Sequence, residues 1–343
     1  MSRISQRIER HWYQPVWWLT ALLAPLEGLF ALLSTLRRLA YRHGVWRSHQ
    51  LPVPVVVIGN INVGGVGKTP LTLSLLAELQ ACGVRVGVIS RGYGGNHRQA
   101  MLVTADSSAS VVGDEPLLLA ASGVPVVVGR DRVAAGMHLL RLYPETQLIL
   151  TDDGLQHYRL ARTLELVVLD GRRGLGNGHL LPGGPLREPA SRLASVDAVV
   201  VNGHGADLPL PADLPRFDMQ LQCGMLQSLA QPERYCSPDD FAGQPVIALA
   251  GIGHPERFFQ TLQQQGLTLQ QCLHFPDHHV FSAADLPDGD SPVIVTSKDA
   301  VKLRGVIHDA AQRARLWVLP VAAQLTPDLA GWLLSRLKIR HGR

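Results

Sequence analysis

Asn62-Val63-Gly64-Gly65-Val66-Gly67-Lys68-Thr69 is a glycine-rich turn between an apolar run, Val53 to Ile58, and a leucine-rich stretch, Leu71 to Leu79. Strand, loop and helix in that order are what a phosphate-cradling P-loop requires. Glycines at 64, 65 and 67 let the backbone turn its N–H groups toward an anion, and the helix N-terminus adds the positive end of its dipole. Lys68 is placed to reach the terminal phosphates of a nucleotide, and the Thr69 hydroxyl to hold Mg²⁺. The strict pattern has glycine where this chain has Asn62, a residue that tolerates left-handed backbone. Lys68 is one of only four lysines beside 28 arginines, which marks a specific use for it. All eight residues from 62 to 69 are expected to line the nucleotide site.

The 343 residues suffice for one large core or two smaller ones. Abundant aliphatic and few aromatic residues suit buried parallel strands flanked by helices. Cys82, Cys223, Cys236 and Cys272 show no C-x-x-C pair and no metal spacing, and read as free thiols in a reducing compartment. The net charge of +4 is uneven, because residues 1–50 hold seven arginines against two glutamates. The basic character therefore belongs to the N-terminal segment rather than to a nucleic-acid-binding face, and no nucleic-acid partner is expected.

Four of the six tryptophans, Trp12, Trp17, Trp18 and Trp46, lie in that same segment. From Pro15 to Leu36 the only formal charge is Glu27, and as one helix this stretch would span about 33 Å, nominally a bilayer crossing. Pro25, Glu27 and Gly28 fall near its middle, where a proline and a carboxylate are both costly. A broken, interfacial helix pair is expected over residues 1–50, with tryptophans at headgroup level and arginines on anionic lipid. A core or dimer helix and a single spanning helix are the competing readings; a signal peptide lacks its cleavage site.

Further apolar runs follow: Val84 to Ile89, Pro125 to Val128, Gln147 to Leu150, Glu165 to Leu169 and Asp197 to Val201. They alternate with helical patterns and end in glycine or polar residues. That predicts a P-loop NTPase-type, doubly wound, mostly parallel α/β sheet with its site along the carboxyl edge. Residues 203–240 read as a linker or crossover. Val246–Ala250, Pro292–Thr296 and Leu316–Val321 then predict a smaller second α/β domain, with a final helix from Thr326. The expected division is 1–50, 51–214 and 215–343, with a cleft between the last two.

A P-loop kinase needs an acidic residue on a neighbouring strand end for Mg²⁺. Asp152 is preferred over Asp170, because Asp153, Gln156 and His157 follow it at once; Asp170 reads as a turn or cap residue. Asp114 and Glu115 open a helix, where Asp114 is either a cap or a general base that accepts a hydroxyl proton. Pro276-Asp277-His278-His279 offers an Asp–His pair. Arg172, Arg173 and Arg187, in the Gly/Pro-rich loop 171–189, are candidates for phosphates or an anionic substrate.

Taken together these residues resemble the tetraacyldisaccharide 4′-kinase family of lipid A synthesis. The segments that carry the resemblance are VVVIGNINVGGVGKTP, VGVISRGYGG, GDEPLLL, TDDGLQHYRLAR, LPGGPLRE, AGIGHPERFF, FPDHH and TSKDAVKL, in order from residue 55 to 303. The resemblance implies transfer of the ATP γ-phosphate to the 4′-hydroxyl of a tetraacylated glucosamine disaccharide 1-phosphate. It makes ATP and Mg²⁺ the cofactors, with Thr69, Asp152, Asp153 and Glu115 on the metal side. Asp114 becomes the base, with Asp277–His278 as a dyad and His279 as an alternative imidazole. Arg91, Tyr93, His157 and Arg187 become substrate contacts. A monomer docked on the cytoplasmic face of the inner membrane, its lipid substrate in the bilayer, is expected. A membrane-associated NTPase switch and a soluble small-metabolite kinase with a dimer arm are the rival readings.

Overall fold

Val55-Val-Val-Ile58 has aliphatic side chains on both faces, as a strand buried on both faces must. It forms β1 (Val55–Gly59), the centre of a nine-stranded sheet in a computed structural model that describes residues 3–205 and 208–339. The other strands of that sheet are β2 (Val86–Ser90), β3 (Met101–Leu102), β4 (Val126–Val128), β5 (Leu148–Asp152), β6 (Leu164–Asp170), β7 (Ala198–Asn202), β8 (Arg216–Cys223) and, much later, β15 (Val321–Thr326). Their order is β15-β8-β7-β6-β1-β5-β2-β4-β3, with β15 and β3 antiparallel to their neighbours and the rest parallel. Alternate residues divide the core into two layers: Val56 and Ile58 pack with Leu71 and Leu75 on one face, Val55 and Val57 with Ile149 and Leu139 on the other. The P-loop and the carboxyl ends of β5 and β6 thus meet at one crevice, where a doubly wound sheet binds ligands.

A second sheet comprises β9 (Leu226–Ser228), β10 (Tyr235–Cys236), β11 (Val246–Ala250), β12 (Leu269–His274), β13 (Val293–Thr296) and β14 (Leu316–Leu319), ordered β10-β9-β14-β13-β11-β12. The expected division at 214/215 differs from this topology. β8 still belongs to the first sheet, and the chain returns to it in β15 (Val321–Thr326), which pairs along β8 from Val321↔Cys223 to Thr326↔Asp218. Both strands are only partly buried and carry Gln220, Gln222 and Gln324, so their composition resembles a linker. The crossing points touch where Gly224 N–H donates to the Pro320 carbonyl at 3.0 Å. The last helix begins at Leu329, not Thr326, under a cap from the Asp328 carboxylate to Gly331 N–H.

The helices are α1 (Arg3–Tyr13), α2 (Trp17–Arg42), α3 (Lys68–Ala81), α4 (Ala109–Val112), α5 (Asp114–Ala120), α6 (Arg132–Leu142), α7 (Pro255–Gln264), α8 (Ser297–Arg304), α9 (Ala310–Ala314) and α10 (Leu329–Leu337). The N-terminal break falls elsewhere than expected. α2 runs unbroken through Pro25, and the chain turns instead at Gln14-Pro15-Val16, where the His11 ring Nδ1 accepts Val16 N–H at 2.9 Å. A proline costs a helix about 3 kcal/mol, but leucine- and alanine-rich turns on both sides support it here. Glu27 is not stranded in an apolar stretch. Its carboxylate accepts Leu180 N–H at 2.9 Å and sits 3.0 Å from the His179 ring, fastening α2 to the 171–189 loop. The outer stripe of α2, Leu22, Leu26, Leu29, Leu33 and Leu36, is exposed, as is Trp17 at 82%.

Candidate active site

The phosphate cradle is braced by two asparagines. Gly64 and Gly67 adopt left-handed φ values of 104° and 94°. A Cβ at Gly67 would lie 2.6 Å from the Asn202 amide, which itself donates to the Val66 carbonyl at 3.0 Å. Asn60 Nδ2 donates to the carbonyls of Asn62 (2.7 Å) and Gly64 (3.3 Å), while its Oδ1 accepts from Lys68 Nζ at 3.0 Å. Asn62 is a strut rather than a side-chain ligand: its buried amide donates to the Gly174 carbonyl, and neighbouring Val63 N–H is spent on the Pro185 carbonyl. The N–H groups of Gly64, Gly65, Val66 and Gly67 meet no acceptor among the described residues, and α3 starts at Lys68 with Thr69 in its first turn. That array is suited to an anion.

The paired acids behind the cradle differ in state. Asp152 ends β5, fully buried, and its Oδ1 has no partner among the described residues. Burial and the nearby Glu115 carboxylate push its carboxyl up to about 7, against the pull of Lys68. Asp153, in left-handed backbone at φ 48°, lies 3.3 Å from Lys68 Nζ and 3.4 Å from Arg187 Nη1. Burial works to raise it, but those two cations win and hold it below the usual carboxylate range. Gln156 ties the loop to Asn60 and Glu188, and behind it Tyr158, Glu188, Arg192 and Glu165 form a buried chain of charged hydrogen bonds.

Three loops build the opposite wall. Asp114, 4% exposed at the start of α5, has both carboxylate oxygens 3.1 Å from His278 Nδ1. The Asp277–His278 pairing expected from adjacency is the looser one, at 3.6 Å from Nε2. Left-handed backbone at His278, φ 59°, turns the ring from its neighbour toward Asp114. Lys298, at the start of α8, lies 3.0 Å from Asp277, 3.5 Å from Glu115 and 3.7 Å from Asp114. Burial acts to raise Asp114, but the His278 hydrogen bond and Lys298 hold it below its usual value. His278 is raised, chiefly by its hydrogen bond to Asp114 against burial and the Lys298 charge. The Tyr93 ring packs on His278 with centroids 4.9 Å apart. His279 is not the alternative: it pairs with Asp285 and packs between Phe275 and Phe281.

Of the remaining expectations, Arg187 reaches the site through Asp153, and exposed Arg91 lies at the end of β2, close enough to Arg132 for the two charges to interact. His157 lies within reach of the charges of Arg132, Asp131 and Arg162, and burial with those arginines pushes its imidazole down to about 4. Asp170 is the turn residue it reads as, its Oδ1 accepting the N–H groups of Arg172 and Arg173. The structure adds Asn60, Asn202 and Lys298 to the site. The scarcity of lysine that singled out Lys68 applies equally to Lys298 and Lys302, the latter buried in an ion pair with Asp299 at 2.7 Å.

Among the described residues no cluster of three or more His, Cys, Asp or Glu side chains forms a metal cage. A hard divalent ion here would be shared between one or two carboxylates and the phosphates of a nucleotide, the habit of Mg²⁺. The orphaned Oδ1 of Asp152 and its raised carboxyl fit that need.

Residues 19–338 match the model of the tetraacyldisaccharide-1-P 4′-kinase family. The chain is 68% identical over 336 residues to the tetraacyldisaccharide 4′-kinase of Chromobacterium violaceum, covering 98% of this chain and 99% of that one. It is 46% identical to the Methylobacillus flagellatus enzyme of the same name, covering 97% and 96% respectively. Its fold is similar to that of LpxK from Aquifex aeolicus, crystallised in complex with ATP, with a TM-score of 0.79, 28% identity, and coverage of 93% of this chain and 98% of that one.

Proposed function

The chain belongs to the tetraacyldisaccharide-1-phosphate 4′-kinase family, and from that premise we propose how its residues carry out the reaction. The activity is transfer of the ATP γ-phosphate to the 4′-hydroxyl of a tetraacylated disaccharide 1-phosphate in lipid A synthesis. The observation that carries the mechanism is the position of Glu115. It acts on the Asp152 carboxyl and touches Lys298, so the nucleotide wall and the Asp114–His278 pair open on one cleft.

The N–H groups of Gly64 to Gly67 would hold the phosphates of ATP, with Lys68 directed at the terminal one. Asp152 and Thr69, with Glu115 at hand, would hold Mg²⁺, which would supply neutralisation of phosphate charge. Asp153 is engaged by Lys68 and Arg187 and orients both cations rather than offering a free ligand. The Asp114–His278 pair takes the 4′-hydroxyl proton as the oxygen–phosphorus bond forms and the bond to the β-phosphate oxygen breaks, releasing ADP. Asp114 is almost wholly buried with both oxygens on Nδ1, whereas the His278 side chain is 24% exposed. That arrangement favours the imidazole as the group facing the sugar, with Asp114 fixing its tautomer. Asp277 positions Lys298, and Tyr93, Arg91 and Arg187 border the acceptor's approach.

Residues 1–50 form the docking segment, lying on the cytoplasmic face of the inner membrane. The exposed leucine stripe of α2, with Trp17, Trp18 and the arginines around it, supports that reading. A four-chain lipid loses about 0.8 kcal/mol for each CH₂ brought into water, so the enzyme has to come to its substrate. One chain supplies both walls, consistent with a monomer. The test is incubation with γ-labelled ATP and the tetraacylated disaccharide 1-phosphate in mixed micelles. Label at the 4′ position is expected; ATP hydrolysis with no label on the disaccharide would sink the reading.

A further inference from the structure

Arg173 lies at the point where four parts of the molecule meet, and nothing in the mechanism above uses it. Its backbone N–H is held by Asp170 at the end of β6 (3.1 Å). One guanidinium nitrogen, Nη2, donates to His254 Nδ1 at 2.9 Å, on the loop that follows β11 in the second sheet. The guanidinium carbon sits 5.1 Å over the ring of Tyr13 in α1. The other nitrogen, Nη1, is 3.6 Å from where a Cβ on Gly64 would project, so it rests against the tip of the phosphate cradle.

Which end of the nucleotide that tip serves follows from Asn60. The same amide group accepts from Lys68 Nζ at 3.0 Å and donates to the Gly64 carbonyl at 3.3 Å. The Gly64 peptide is therefore beside the ammonium that reaches the terminal phosphates, and Arg173 Nη1 rests against the same glycine. Burial and the Arg173 charge push the His254 imidazole down to about 4, so it stays a neutral acceptor for Nη2. The Tyr13 side chain also interacts with the guanidinium, and Nη1, on the cradle side, is the nitrogen an incoming phosphate meets. Charge on a transferring phosphoryl group spreads over its equatorial oxygens, and an arginine supplied from within the same chain can neutralise it.

We propose that Arg173 is a catalytic residue of this kinase: its guanidinium, set by His254 and Tyr13, contacts the γ-phosphoryl during transfer. The assignment rests on the kinase reading above and extends it. Because His254 belongs to the second sheet and Tyr13 to the N-terminal helix, the charge is in place only when both are docked against the first sheet.

The test compares the full chain with R173A and R173K in the micelle assay, alongside binding of ATP and of ADP with aluminium fluoride, a mimic of the transferring phosphoryl. R173A is expected to lower kcat by about 10²-fold or more, while ATP affinity changes little. Affinity for the aluminium fluoride complex should fall with kcat, and guanidinium ion added to R173A should restore part of the rate. R173K, which keeps the stem but not the planar fork, should be intermediate and carries the test if R173A does not fold. A kcat within about threefold of the parent would overturn the proposal. So would equal losses in ATP and aluminium fluoride affinity. A parent chain that fails to label the disaccharide would instead sink the kinase reading itself.

Discussion

The nucleotide wall of the cleft comes almost entirely from one short stretch of chain, residues 60 to 69 with Asp152 and Asp153 beside them, whereas the acceptor wall draws on residues 93, 114, 278 and 298, from both sheets. The first is rigid by construction: a strand buried on both faces feeds a turn locked by Asn60 and Asn202. The second exists only while the sheets are docked, because Asp114 and His278 sit 164 positions apart and touch through one ring. On the proposed mechanism such a site separates binding from chemistry, with the nucleotide held by one sheet and the acceptor's proton removed where the two meet.

That division is most open to breakage at its extremes. Asp114→Asn should cut kcat by about 10³-fold with ATP affinity nearly unchanged, because it removes the carboxylate that holds the His278 base in its working tautomer, and general-base catalysis is worth about 10² to 10⁴. Lys68→Ala should cut both kcat and ATP affinity. Equal effects of the two variants on ATP binding, by titration with a fluorescent nucleotide, would show that the walls are not separable.

Lys298→Ala acts at the seam. It leaves Asp114, Glu115 and Asp277 facing one another without their shared cation, although Asp277 is well exposed and partly screened. A loss of up to about 3 kcal/mol is expected in urea unfolding, with a drop in kcat of about 10-fold or more. If Lys298→Ala unfolds as the parent does, the seam is held elsewhere.

The pH profile sharpens the comparison further. His278 is held above the ordinary histidine value of about 6.5, so it must lose its proton before it can accept one, and kcat should rise with pH through that raised value. The stability the charged pair contributes runs the other way. The His278 part is complete below about 6.5 and is lost as pH climbs through the raised value. The Asp114 part is present above the usual carboxylate range and is lost as pH falls through the depressed one. Asp114→Asn should move the residual rate's rising limb to lower pH, and Lys298→Ala, by removing a positive neighbour, should move it higher. A limb that stays put in both variants would mean that another group titrates.

The same contrast explains what could be read from the residues alone. The P-loop was legible because its chemistry and geometry fall within eight consecutive positions. The buried strands of the first sheet were legible because parallel strands are aliphatic on both faces. Adjacency, the only proximity a sequence displays, points to Asp277 as the partner of His278, and with His278 in left-handed backbone that contact stays at 3.6 Å while Asp114 comes closer. β8 and β15 were invisible as partners for a related reason: half-exposed, glutamine-bearing strands about a hundred positions apart look like linker until they are seen paired. Pro25 is the opposite case: its local cost points to a break, and the surrounding helix formers outweigh it.

The smallest predicted effect probes what backs the nucleotide wall. Tyr158 donates to Glu188 at 2.6 Å, and Glu188 also accepts from Gln156 and Arg192, while burial and that carboxylate keep the phenol protonated far above neutral pH. Tyr158→Phe removes one donor yet leaves Glu188 with two others, so no buried charge is stranded. The expected loss is about 1 kcal/mol of stability, read as a lower Tm, with kcat unchanged and KM for ATP within about twofold. The network lies behind Gln156, and Gln156 keeps its own bonds to Asn60 and Glu188 in the variant. A drop in kcat would mean that this network steers the catalytic groups themselves, and the nucleotide wall would then be as dependent on distant partners as the acceptor wall is.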